Sequence, residues 1–306
     1  MEIIDSRITC AFLYTITKYG YPPQSEGMTG YIREMAALGF KSIEIEGIGN
    51  DGISTLYKNK ESIRQVIADA DVDLPIFCTV LPKLASVSED LAARDMESFE
   101  MGCETAAFLG AHGVLDNGPL VPYAFPKDMP IHRHYAPEVI SKVSLPEDFS
   151  WHEYQARLIA IMQRACDIAA KFGLDYYMHP CLGSQTDTTD AYLLLKKEVG
   201  RGNLKFCYDT SNLYYMHENM ALGLMKLATE IDYIHISDSF GTKIEHQPIG
   251  NGDLNWELFF EILKKINYQG QLAIDVGGDE SHVADIEAAY LTTARFLQEK
   301  LAAYEI

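Results

Sequence analysis

Eight short apolar runs alternate with eight helical patterns along this chain, and that alternation constrains the fold more than any other feature. The runs are residues 8–14, 42–46, 74–80, 113–117, 175–179, 204–208, 233–236 and 271–276. The helical patterns cover 28–38, 59–70, 88–109, 150–171, 189–199, 216–229, 256–266 and 281–300. In the first of them Tyr31, Met35 and Leu38 fall on one face at spacings of four and three. Apolar strands alternating with helices predict a parallel sheet covered by helices. A (β/α)8 TIM barrel takes about 250 residues plus insertions, so a single barrel domain accommodates the 306 residues present. An open doubly wound sheet is the alternative. Its dinucleotide-binding form lacks support, because no Gly-x-Gly-x-x-Gly follows the first run.

Three consecutive runs in the last third lead into, or carry, a metal-binding type of side chain. The run 204–208 leads into Asp209, the run 233–236 carries His235, and the run 271–276 carries Asp275. In a parallel barrel the C-terminal strand ends converge on one face, which is where active sites form. Two carboxylates and an imidazole meeting there offer oxygen and nitrogen ligands to a divalent ion. Mn, Co, Zn and Mg all fit that chemistry.

The same stretch carries a longer pattern: Asp209-Thr210, then His235-x-x-Asp238, then Pro248-x-Gly250-x-Gly252-Asp253, then Asp275. It resembles the xylose isomerase-like TIM barrel superfamily, which holds sugar phosphate isomerases, ketose 3-epimerases, inosose dehydratases and, more remotely, endonuclease IV. The resemblance implies a metal held by Glu from strand five, Asp from six, His from seven and Glu from eight. Asp209 and His235 match that set, and Asp275 takes the eighth place with a side chain one methylene shorter. The fifth place departs from it. Two residues before His179-Pro180, where the family has Glu, stands Tyr177. A phenol of pKa near 10 does not replace a carboxylate base at neutral pH without strong tuning. His179 faces the same side as Tyr177 and lies about 6.6 Å further along the strand. It is expected as the fourth ligand or as the catalytic base. Tyr177 is expected to pack or to donate a hydrogen bond at the substrate, not to ligate.

Two further residues are candidates for catalysis. Glu44, at the end of the second run, matches the superfamily's second strand and points into the mouth, or else pairs with a nearby Lys at the surface. His246 lies in the loop after strand seven, where some family members contact substrate or metal; a surface ion pair involving Lys243 and Glu245 is the alternative.

Residues 118–150 form the longest connection, with six of the twelve prolines and the cluster His132, Arg133, His134. Connections longer than about 12–15 residues are usually lids, binding loops or disorder, and proline lowers the entropy cost of ordering them. A lid or a subunit contact in a homo-oligomer is expected. His132, Arg133 and His134 then contact substrate, or form a solvated basic turn. The net charge of −19 argues against a nucleic-acid partner, which demands clustered Lys and Arg. The six cysteines have no Cys-x-x-Cys spacing and are expected to be buried reduced thiols of a cytoplasmic protein. The first residues lack a basic, then apolar, signal pattern, and no run of about 18 apolar residues is present to span a membrane.

These features point to a metal-dependent isomerase or epimerase of a sugar, keto-sugar or cyclitol. A lyase on the same scaffold, inosose dehydratase-like or β-eliminating a keto-glycoside, shares the first step, removal of a proton next to a carbonyl. A catalytically degenerate barrel that only binds a sugar or a partner is the reading of another class, and Tyr177 favours it.

Overall fold

The computed structural model describes residues 3–117, 120–125 and 137–306. Strands and helices follow as β1 (Ile8–Cys10), α1 (Leu13–Tyr19), α2 (Met28–Ala37), β2 (Ser42–Ile43), β3 (Ile45–Ile48), α3 (Gly49–Ala70), β4 (Ile76–Val80), α4 (Glu89–Leu109) and β5 (Gly113–Asp116). Then come α5 (Pro137–Ile140), α6 (Trp151–Lys171), β6 (Asp175–Met178), α7 (Thr189–Val199), β7 (Leu204–Phe206), β8 (Tyr208–Asp209), α8 (Thr210–Tyr215) and α9 (Met220–Lys226). The last elements are β9 (Tyr233–Ile236), α10 (Trp256–Lys265), β10 (Gln271–Ile274) and α11 (Ile286–Tyr304).

All pairings between these strands are parallel. They form two five-stranded sheets, ordered β2-β1-β10-β9-β8 and β3-β4-β5-β6-β7. Single residues, Glu44 and Cys207, join one sheet to the other. Ile43 pairs with Cys10 on β1, and Ile45 pairs with Phe77 on β4. Likewise Phe206 pairs with Met178 on β6, and Tyr208 pairs with Ile234 on β9. Each of these seams is one strand whose first part belongs to one neighbour and whose second part belongs to the other. Counting each seam as one strand gives the eight of the sequence pattern.

Side-chain alternation along the strands sorts the core into two layers. Ala11, Ile76, Cys78, Leu115, Tyr177, Cys207, Tyr233 and Ala273 form an inner cluster. Alternate residues such as Phe77, Val114, Tyr176, Phe206 and Ile234 join the helices in a larger outer cluster. A filled interior is what a barrel of this size requires. Several helices begin where small polar side chains accept first-turn amides: Ser150 from Glu153, Thr188 from Ala191, Asn255 from Leu258 and Asp285 from Ala288. Each such cap stabilises by about 1 kcal/mol.

Four segments differ from the sequence reading, the first being α3, which starts at Gly49 and not at residue 59. Residues 8–14 read as one strand followed by a loop, but the strand stops at Cys10 and Leu13–Tyr19 is helical. Thr15, Ile16 and Thr17 are poor helix formers. Burial of Leu13, Tyr14, Thr15 and Ile16 outweighs that, and Thr17 Oγ1 donates back to the Leu13 carbonyl at 2.7 Å. The stretch read as one helix over 216–229 holds only the shorter α9, Met220–Lys226, and a separate helix the sequence reading lacked, α8, precedes it, starting directly on the strand end at Thr210. The last helix starts at Ile286, capped by Asp285, five residues later than its apolar periodicity implies.

The described part of the long connection is not structureless. Ala124 and Ser144 form an antiparallel bridge, and so do Leu120 and Ser184. The second bridge lays the connection beside the loop that follows β6. His132, Arg133 and His134 lie outside the described residues. Among the described residues no helix is long and apolar enough to cross a membrane. All six cysteines are buried and none forms a disulfide.

Candidate metal centre

Strands β8, β9 and β10 deliver Asp209, His235 and Asp275 to one end of the sheet, and one ligand atom from each lies within 4.8 Å of the others. All three are buried, at 0%, 5% and 2% exposure, which costs free energy for charged groups unless they are paired or hold a metal. Asp209 has two roles. Its Oδ1 accepts from the Asn212 amide at 2.7 Å, capping α8, while Oδ2 turns to the site and accepts from His179 Nε2 at 3.0 Å. Burial alone would raise this carboxyl, but the hydrogen bond from His179 and the neighbouring His246 hold it well below the usual range. Burial pushes the His179 imidazole down, leaving it neutral. Its Nδ1 lies 3.4 Å from Cys181 Sγ.

His235 is gripped from behind. Its Nε2 lies 3.0 Å from Glu44 Oε2, which also accepts from the Tyr233 hydroxyl at 2.8 Å. Nδ1 has no hydrogen-bond partner and faces Asp209 Oδ2 at 3.9 Å and Asp275 Oδ2 at 3.8 Å. A carboxylate on the far nitrogen is how proteins orient a metal-ligating imidazole. A buried nitrogen turned onto two carboxylate oxygens beyond hydrogen-bonding distance fits a divalent ion. Two other groupings are less suited to one. His179, Cys207 and His235 come together, but burial pushes the Cys207 thiol up to about 11, so it is protonated at neutral pH. Glu44, Glu46 and Cys78 also approach one another, but the Glu44 carboxylate is already taken by Tyr233 and His235.

His246 reaches the same point from the loop after β9. It is fully buried, with Nε2 at 3.5 Å from Asp275 Oδ2 and 3.8 Å from Asp209 Oδ2. Its Nδ1 meets Glu280 Oε1 at 3.1 Å. The surface pairing considered for this loop exists without His246, between Lys243 and Glu245.

The loop itself hangs on Asp238. That carboxylate accepts from the amides of Ser239, Gly250 and Leu254 and from Trp256 Nε1, at 2.8–3.2 Å. The His-x-x-Asp and Pro-x-Gly-x-Gly-Asp motifs are therefore one hydrogen-bonded unit. Gly252 belongs to it because a Cβ there would collide with the Asp238 carboxylate and the Ser239 backbone.

A family model described as the xylose isomerase-like TIM barrel matches residues 32–300. The chain belongs to this family. It is 24% identical to an inosose dehydratase of Clostridium botulinum over 50% of this chain, a match that spans 57% of that relative's length. It is 23% identical to a 3-dehydro-D-guloside 4-epimerase of Escherichia coli, over 80% of this chain and 84% of the relative. The apo structure of a 3-keto-D-glucoside 4-epimerase from E. coli superposes with a TM-score of 0.72 at 18% identity, covering 96% of this chain and all of that one. The relatives are thus sugar epimerases and inosose dehydratases on the xylose isomerase-like scaffold.

Within that family frame the structure separates the remaining expected residues. Tyr177, expected either to pack or to donate a hydrogen bond at the substrate, packs in the inner cluster, away from the site. Its hydroxyl donates to Asp232 at 2.6 Å, and its ring meets His112. Asp232 precedes β9 and His112 precedes β5, so the ring points to the end of the barrel opposite the site. Glu44 is neither a surface pair nor a free acid at the mouth; it contacts His235 and Tyr233. Tyr177→Phe is accordingly expected to leave metal content and substrate KM unchanged. It should lower the unfolding free energy by about 1–2 kcal/mol, the size of one hydrogen bond to a charged, partly exposed partner. Denaturant titration checks this, and a changed metal content would return Tyr177 to the site. Sequence reasoning missed Glu280 and Cys181. The acidic residue in the Gly277-Gly278-Asp279-Glu280 turn, directly after the last strand, was the available signal for the first.

Proposed function

We propose that this protein is a metal-dependent isomerase or epimerase that removes a proton next to the carbonyl of a sugar, keto-sugar or cyclitol. The observation that carries the proposal is the convergence of Asp209, His235 and Asp275 with His179 beside them. A divalent ion held by Asp209, His235 and Asp275 would polarise the substrate carbonyl and its neighbouring hydroxyl. His179 and Asp275 end strands on either side of the β8–β9 pair, so an acid–base group flanks the site on each side. Epimerisation uses two such groups, one to take the proton and one to return it. Burial keeps His179 neutral, with Nε2 donating to Asp209 and Nδ1 the nitrogen left to accept a proton. Burial of the whole cluster keeps bulk water from competing for it.

A lyase is the second reading, and Tyr177 favours it. With a phenol in the place of the fifth-strand Glu, the mouth has one carboxylate base fewer, and eliminating water demands less symmetric proton traffic. Incubation in D2O with ketoses, 3-keto-glycosides and a keto-cyclitol separates the two by mass spectrometry. An isomer carrying one solvent deuterium is expected. An unsaturated product lacking the elements of water would establish the lyase. No exchange and no product with any carbonyl substrate would defeat both.

A further inference from the structure

We propose that His246 is a ligand of this metal site, with Glu280 as the carboxylate that orients it, and that the resulting donor set selects a transition-metal cation over Mg. The inference rests on the metal-dependent reading above and deepens it.

The two imidazoles are arranged alike. His235 presents Nε2 to Glu44 and Nδ1 to the Asp209 and Asp275 oxygens. His246 presents Nδ1 to Glu280 and Nε2 to the same two oxygens. The four separations facing the site run from 3.5 to 3.9 Å. Hydrogen bonds from nitrogen to oxygen are shorter, about 2.7–3.2 Å. Ligand atoms about 2.0–2.2 Å from one tetrahedral ion stand about 3.3–3.6 Å apart. His179 differs on both counts. Its Nε2 is at hydrogen-bonding distance from Asp209, and its other nitrogen meets a sulfur in place of a carboxylate.

The backbone is shaped for this contact. The Gly277 amide donates to the His246 carbonyl at 2.9 Å, clipping the loop after β9 to the loop after β10. Gly278 has φ +76, and a Cβ there would collide with the Glu280 carboxylate, so glycine lets Glu280 fold back onto His246. The donor set becomes two carboxylates and two imidazoles. That departs from the one imidazole and three carboxylates that the resemblance implied. It moves the preference from Mg, which favours oxygen, toward Mn, Co or Zn.

Chelator-stripped protein titrated with Co2+ alone provides the test, read by calorimetry and by the visible absorption of the bound ion. The parent is expected to bind one equivalent that equimolar Mg2+ does not displace. His246→Gln is expected to change the absorption spectrum and to weaken binding more than a hundredfold. Glu280→Gln should keep the spectrum and weaken binding about 10–100-fold, the usual cost of losing an orienting partner. The unmutated Co2+ protein gives an independent reading by proton NMR. Two paramagnetically shifted, exchangeable imidazole N–H signals are expected, one each from His235 and His246, and a single one would overturn the proposal whatever the variants do. If His246→Gln binds Co2+ with parental affinity and spectrum while His235→Gln does not bind, His246 is not a ligand and the metal-dependent reading stands. Failure of the parent to bind any Co2+ would overturn both.

Discussion

Replacing Asp209 by alanine is expected to cost the protein its metal, its turnover and part of its stability together. This carboxylate is approached from several sides at once. His179 donates to it, His235 and His246 face it, and its second oxygen caps α8. Losing the cap costs about 1 kcal/mol, and leaving the buried His179 nitrogen unpaired costs about 1–3 kcal/mol more. Losing the ion removes several kcal/mol of transition-state stabilisation, so kcat/KM should fall by about a thousandfold or more. Asp209→Asn separates the roles. Its amide oxygen can still cap α8, so the roughly 1 kcal/mol of the cap should return, while the metal should not. Metal analysis and denaturant unfolding of both variants check this. If Asp209→Ala keeps its metal, the ion is held elsewhere.

Asp238→Ala is expected to be the most destabilising single change in the site region. It strips acceptors from three backbone amides and the Trp256 indole together. Hydrogen bonds to a charged acceptor are each worth about 1.5–3 kcal/mol. A total loss above about 4 kcal/mol, at the upper end for point substitutions, is therefore expected. The amides of Gly250 and Leu254 should lose hydrogen-exchange protection before the strands do. Gln247, next to His246, pairs with Asp238 through both backbone bonds, so metal affinity should fall as well. A variant of parental stability with those amides still protected would mean that the loop is held by its glycines and proline alone.

The parts of this fold that could be read from sequence were those where local chemistry and tertiary need agree. The helix over 189–199 is the one the sequence indicates, ended by Gly200, and the structure adds Thr188 as its cap. Asp209, His235 and Asp275 were legible because strand ends converge in any parallel barrel. Illegible were the places where distant contacts override propensity. The β-branched residues of α1 are helical because their neighbours bury a face against the rest of the chain. Glu44 touches His235 across 191 positions, and no spacing rule links them. Tyr177 was correctly placed on the inward face, but its direction depended on Asp232 and His112 at the opposite end of the barrel.

The two seams have a consequence for how the molecule opens. Asp209, His235 and Asp275 all end strands of one sheet, whereas His179 ends a strand of the other and Glu44 lies at a junction. The backbone joins these halves at the two seams, where one short strand changes partners. An occupant touching both halves adds a cross-link to those seams. Because it binds only the folded arrangement of both, it is expected to raise hydrogen-exchange protection at Glu44 and Cys207 together with that of the strands they join.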